Sequence, residues 1–304
     1  MARFKGPSGI LLLDRFVPGL GWLQILLIAA YAGVVSYLLL TKSDTSRIRI
    51  IIWNLFSVVF FTQLLTGIFI SKTFLMSGTL HIPVPAVILA GPLYEGRGFF
   101  MPILFISTIL LIGPAWCSHL CYFGSWDGVA ASRRGKPVPY SKKWTTIRWS
   151  VLFLVILVSL AFRLWKVPLT IAAAGALAFG IVGIILMVTL SRTRGFMVHC
   201  TAYCPIGLIG NILGKISPFR ITIDSNCLFC MKCTETCRYN ALTLENMKSG
   251  KAGSTCTLCG DCISSCSKNS ISYSFFKLSP EKSRTLFVIL ISAIHAAFLG
   301  IARI

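Results

Sequence analysis

A multi-pass α-helical membrane protein of about six transmembrane helices, with a small α+β domain inserted before the last of them, is the fold class this sequence predicts. Three observations carry the prediction. Of 304 residues, 55% are hydrophobic and only 12% charged, at a mean hydropathy of +0.79, which is too apolar for an ordinary water-soluble domain. Six stretches approach the roughly 20 apolar residues that a spanning helix needs. Between them, ahead of the last stretch, lies a polar segment dense in cysteine.

The apolar stretches run from about Leu20 to Leu40, Ile48 to Ile70, Phe99 to Trp116, Trp149 to Trp165, Val167 to Leu190 and Thr285 to Ile301. The first is interrupted upstream by Asp14, Arg15 and Pro18 and offers no small-residue cleavage site, so it reads as a span and not as a cleaved leader. Arg163 and Lys166 clip the end of the fourth, and Pro168 turns the chain tightly into the fifth. The net charge of +20 would suit nucleic acid in a soluble protein. Here the basic residues sit in short loops beside apolar runs, as the positive-inside rule requires, and no nucleic-acid partner is expected. With the N-terminus outside, 21 of the 29 Lys and Arg lie on the inner side, and so does every cysteine.

The cysteine segment writes one pattern twice. CLFCMKCTETC from Cys227 and CTLCGDCISSC from Cys256 both read C-x2-C-x2-C-x3-C, offset by 29 residues. This is the two-cluster bacterial ferredoxin spacing, in which three thiolates of one half and the fourth of the other hold each cubane. Cys227, Cys230, Cys233 and Cys266 are therefore expected to bind one [4Fe-4S] cluster, and Cys256, Cys259, Cys262 and Cys237 the other. Structural zinc prefers two C-x2-C pairs with a longer spacer, and disulfides suit small secreted domains. The Pro that usually follows the fourth cysteine is replaced by Arg238 and Ser267. Each half continues with an Asn and then a short alternating run, read as one strand per half. The predicted division is 1–219 for membrane helices, 220–278 for the two-cluster ferredoxin domain and 279–304 for the last helix.

Four further cysteines form two C-x3-C pairs at the ends of spans, Cys117 and Cys121 in WCSHLCYFG and Cys200 and Cys204 in HCTAYCPIG, each with a Gly after two intervening residues. Positions i and i+4 share a helix face, so two such ends on one side of the membrane could offer four thiolates to a third iron–sulfur cluster. A lone pair of this kind is more often apolar filler, and the repetition is what favours ligation. His119 and His199 stand beside these cysteines without being needed as ligands. His295, inside the last helix, reads as a neutral, hydrogen-bonded histidine.

The segment from His81 to Leu93 is short for a span and broken by Pro83, Pro85 and Pro92, so it reads as a re-entrant or interfacial excursion. His81 and Glu95 are the candidate proton-handling residues of a quinone pocket there, against the plainer reading of a Glu95–Arg97 surface pair. Trp144 and Trp149 read as interface anchors. Lys232, Arg238 and Lys268 read as a solvated face that could also dock an acidic partner. No Walker loop, dinucleotide fingerprint or nucleophile constellation is present, so no catalytic side chain is nominated.

With two C-x3-C motifs at helix ends followed by two ferredoxin motifs, the chain from about Phe99 to Tyr273 resembles the NapH-type membrane polyferredoxins, with the nitrous-oxide-reductase-associated NosR and the oxidase-assembly protein CcoG as wider relatives. Cys204-Pro205 keeps the family's Pro, whereas Tyr122 follows Cys121, and the helix after the ferredoxin region is an addition to the simplest members. The resemblance implies a bacterial inner-membrane protein with its clusters on the cytoplasmic side, exchanging electrons between the quinone pool and a partner oxidoreductase. An assembly or metal-reducing factor for another metalloenzyme, and a membrane-anchor relay subunit of a larger complex, are the other two readings. Cluster potentials span roughly −700 to +450 mV, so the direction of flow is open at this level.

Overall fold

The computed structural model describes residues 11–75 and 82–300. His81 lies outside the described residues. Among the described residues, six helices are long and apolar enough to cross a membrane, at the positions the apolar stretches predict. They are α1 (Gly21–Thr41), α2 (Thr45–Phe69), α4 (Phe100–Ile112, carried on by a 3-10 turn at Gly113–Ala115 to Trp116–His119), α6 (Lys142–Leu164), α7 (Leu169–Leu186, extended through Arg194) and α12 (Pro280–Gly300). Between them lie α3 (Val87–Glu95), α5 (Tyr122–Ser132) and α8 (Pro205–Leu213). The outer faces carry exposed Leu26, Leu27, Val58, Leu157 and Ile181, a surface that suits lipid and would aggregate in water.

Local chemistry sets the ends. Asp44 caps α2 by accepting the Arg47 N–H at 3.1 Å, and Ser141 caps α6 by accepting the Lys143 N–H at 3.4 Å. That cap starts α6 seven residues before the predicted Trp149, because Lys and Arg lower hydropathy without disfavouring helix. In the predicted His81–Leu93 segment and two residues beyond it lies α3, closed by Gly96 at φ +72°.

The cysteine-rich lobe holds three short helices, α9 (Lys232–Thr236), α10 (Leu244–Lys248) and α11 (Asp261–Ser264), and one antiparallel pair, β1 (Phe219–Ile223) with β2 (Ile271–Phe275), in register from Phe219↔Phe275 to Ile223↔Ile271. Here the structure departs from the expectation of one strand per half. Only the second half's run is a strand. In the first half Thr243 Oγ accepts the Asn246 N–H at 3.2 Å and starts α10 instead, while β1, upstream of the repeat, takes the pairing edge of β2.

The lobe is not a separate bead. One apolar core runs from Ile109, Ile112 and Ala115 of the membrane helices through Phe219 and Tyr273 to Phe287 of α12, with Tyr273 stacked on Phe287 at 4.5 Å. Arg238, read from sequence as part of a solvated or docking face, is a staple. Its Nη1 donates to the carbonyls of Arg134 and Gly195, both at 2.9 Å, and its Nη2 to Gly135 at 3.2 Å. Lys232 and Lys268 remain exposed.

Candidate metal centres

The 29-residue repeat reappears in the backbone. Positive φ occurs at Phe229 and Leu258 (51° and 56°), at Met231 and Gly260 (61° and 82°) and at Asn240 and Asn269 (49° and 53°). Each pair occupies equivalent places in the two halves. Left-handed residues between closely spaced cysteines turn the chain so that successive Cβ atoms aim at one point. Thr236 and Ser265, also equivalent, meet with Oγ···Oγ at 3.1 Å.

The thiols fall into groups. Burial pushes Cys233 up to about 11, with Cys227, Cys266 and Cys230 as the thiols that push it further. Burial also pushes Cys262 well above its ordinary value, and its neighbours are Cys259, Cys256 and Cys237. The fourth thiol of each half therefore lies with the three of the other half. Cys237, Cys256, Cys259 and Cys262 line one small, largely enclosed cavity with Tyr239 and Ile221. Backbone amides face the sulfurs, with Ala241 N–H donating to Cys237 Sγ at 3.3 Å. Among the described residues no group of three or more His, Cys, Asp or Glu is arranged around a single metal ion.

The two C-x3-C ends are built alike. Cys121 and Cys204 have near-identical backbone, φ −79°, ψ 112° and φ −75°, ψ 117°, and open α5 and α8. Their N–H groups reach back five residues, to Trp116 O at 2.9 Å and His199 O at 2.7 Å. Gly124 and Gly207 explain the shared glycine, since a Cβ there would stand 2.8 Å from Cys117 O and 2.5 Å from Cys200 O. The Gly124 N–H donates to Cys121 Sγ at 3.4 Å. Trp53 Nε1–H holds the first loop through Cys121 O at 2.9 Å.

The ends converge. Burial pushes Cys200 well up, and Asp127, Cys121, Cys117 and Cys204 add to it in that order. Burial likewise takes Cys121 to about 12, with Cys204 beside it. Asp127, on α5, is fully buried and accepts the Cys200 N–H at 2.9 Å, tying one loop to the other; burial raises its carboxyl to about 6 against hydrogen bonds from Ser191 and Cys200. Arg148, which acts on the same thiols, is 5% exposed. Sequence reasoning passed over both residues. Asp127 had a signal, being one of nine acidic residues in the chain and standing just after a cysteine motif; Arg148 was hidden among the basic loop residues.

The histidines are not drawn in. His119 Nδ1 meets Ser118 Oγ at 2.9 Å. His199 is buried against Phe123 and Tyr203 with neither ring nitrogen hydrogen-bonded, and burial lowers it to about 3. His295 Nδ1 lies 3.0 Å from the His119 carbonyl, which fits a neutral ring donating from that nitrogen. Glu95 pairs with Arg97 at 3.4 Å. An apolar cavity of about 190 Å³ between α3, α6 and α7 is lined by Tyr94, Ala176 and Phe179 and not by Glu95.

A family described as a 4Fe-4S binding domain matches residues 96–139 and 174–224. The match falls on the two C-x3-C ends and stops before Cys227. No curated protein and no solved structure matches. The match supports an iron–sulfur, ferredoxin-like protein. The six apolar helices fit a multi-pass membrane protein. The donors suit such a group, since four thiols bordering one enclosed cavity with amides aimed at sulfur are what an anionic iron–sulfur centre requires.

Proposed function

We propose that this chain is a membrane-bound electron relay of the NapH type, linking the quinone pool to a partner oxidoreductase through two ferredoxin cubanes and a third cluster at the membrane boundary, with the lobe on the cytoplasmic side of a bacterial inner membrane. The observation that carries the reading is the position of Tyr239. It lines the cavity of Cys237, Cys256, Cys259 and Cys262, and its hydroxyl donates to Cys117 O at 3.3 Å, so one side chain bridges the lobe's inner thiols and the membrane thiols.

When bound, iron–sulfur clusters supply one-electron transfer at potentials set by charge, hydrogen bonding and solvent exposure. The chain supplies the order. From the ends of the apolar helices outward, the thiol sets of the relay would run Cys117, Cys121, Cys200 and Cys204, then through Tyr239 to Cys237, Cys256, Cys259 and Cys262, then Cys227, Cys230, Cys233 and Cys266. The last set ends at exposed Cys230, flanked by Leu228 at 66% and Phe229 at 44% exposure, an apolar tip suited to a partner protein. At the other end Phe179, in the wall of the apolar cavity, stacks on Tyr203 at 4.3 Å, next to Cys204. A quinone ring in that cavity would lie one aromatic pair from the membrane thiols.

The test is rapid mixing of the anaerobically purified protein in nanodiscs with a reduced quinol analogue, followed by cluster absorbance and EPR. Electron uptake from quinol, abolished by Ala176→Trp at unchanged iron content, supports the relay. Clusters that stay oxidised with quinol but respond to dithionite would overturn the quinone link.

A further inference from the structure

The Arg148 guanidinium is buried inside α6, and its Nε has no hydrogen-bond partner. Among the described residues it has no carboxylate within ion-pairing distance. The groups whose negative charge would act on it are Tyr140, Cys117, Cys204 and Cys200. Its Nη2 would stand 3.8 Å from a Cβ at Gly207, over the turn that carries Cys204. A buried cation without a counter-charge is strongly unfavourable, and arginine does not escape by losing its proton. Cys117, Cys200 and Cys204 offer the needed negative charge as thiolates, the form they would take when bound to iron.

We infer that Arg148 is the built-in counter-ion of the membrane-boundary centre, a positioning residue that balances the charge of the four-thiolate site and holds its potential up. The inference rests on the reading that Cys117, Cys121, Cys200 and Cys204 bind a cluster. Asp127 lies beside the same thiols, so removing Arg148 would leave that carboxylate and the cluster to repel each other without its positive charge between them. Adding an electron to such a site becomes harder, and the midpoint falls.

The experiment compares wild type, R148Q, R148K and the double variant Cys117→Ser with Cys200→Ser, all as full-length protein in nanodiscs, by iron and sulfide content and by EPR-monitored redox titration. The signal lost in the double cysteine variant identifies the membrane centre. The expected result is a more negative midpoint for that signal alone in R148Q, with the lobe signals unmoved and R148K close to wild type. If R148Q instead loses the membrane centre's iron, retention of that iron in R148K supports the counter-ion role, and its loss in R148K as well assigns Arg148 to packing and overturns it. Full iron with an unmoved midpoint in R148Q also overturns it while leaving the cluster reading intact. Unchanged iron in the double cysteine variant removes the cluster reading, and the inference with it.

Discussion

Arg49 of α2 and Asp261 of α11 form a two-pronged ion pair across the junction of membrane helices and lobe, with Nε to Oδ1 at 3.1 Å and Nη2 to Oδ2 at 2.7 Å. The third guanidinium nitrogen donates to Ser118 O at 3.0 Å, next to Cys117. The pair therefore fixes the lobe's second cysteine repeat to the first C-x3-C loop. Both side chains are nearly dry, at 6% and 12% exposure.

Breaking one partner should undock the lobe. Asp261→Asn leaves Arg49 buried without its charge partner, a situation that destabilises by about 3 to 5 kcal/mol. Protease nicking of the 214–218 linker should rise in that variant. Replacing both residues with apolar ones of similar volume should recover most of the protection, which separates the lost charge partner from lost packing.

The two glycines of the C-x3-C motifs should be intolerant of a methyl group. Gly207→Ala pushes a Cβ against Cys200 O, and Gly124→Ala meets both Cys117 O and the Trp53 ring at 2.8 Å. Overpacking of this kind costs about 1 to 3 kcal/mol. Iron analysis should show loss confined to the membrane centre, with the lobe's iron retained. Equal iron in wild type and both alanine variants would refute the close-packed reading of the motif.

Unloaded thiols should label unevenly. With Cys121 and Cys256 both raised to about 12 by burial, about 10⁻⁴ of each is thiolate at pH 8. Iodoacetamide labelling of the iron-free protein, read by mass spectrometry, should be slow at these positions and quick at exposed Cys230. The sign is fixed by the raised value, so labelling of Cys121 and Cys256 should climb about tenfold per pH unit from pH 8 toward pH 11. A rate independent of pH would contradict it.

The grouping of lobe thiols has its own spectroscopic test. Cys237→Ser should alter the EPR signal that Cys256→Ser also alters, and Cys266→Ser the one that Cys230→Ser alters. Signals that followed sequence halves, with Cys237→Ser and Cys230→Ser affecting the same one, would show that the fourth ligands do not cross.

Much of this was legible before any coordinates. Length and hydropathy place the six spans, because lipid tolerates only long apolar helices with their backbone satisfied internally. The proximity of Cys233 to Cys227 and Cys230 follows from spacing, because cysteines with two residues between them, in left-handed turns, have little freedom in where they aim, and the doubled motif points to Cys266 as the fourth. That no strand forms after Cys237 was not legible. Ala241-Leu242-Thr243 alternates like its counterpart, and only the capture of the β2 edge by Phe219–Ile223 decides that Thr243 opens a helix. Nor could sequence find Arg148 or Tyr239, whose roles come from long-range packing of α6 and the lobe onto the C-x3-C loops. Arg238 looked solvated for the same reason, since its three carbonyl partners lie far away in the chain.

The lobe closes over the membrane thiols. Tyr239 lies on Cys117, the Met197 N–H donates to Arg238 O at 2.9 Å, and Cys117, Cys200 and Cys204 are all under 9% exposed. On the proposed reading, iron destined for those four sulfurs would have to arrive while the later part of the chain is still open, which would make maturation a matter of timing. A delivery system that acts only on the finished fold would reach the outer lobe and find the inner door shut.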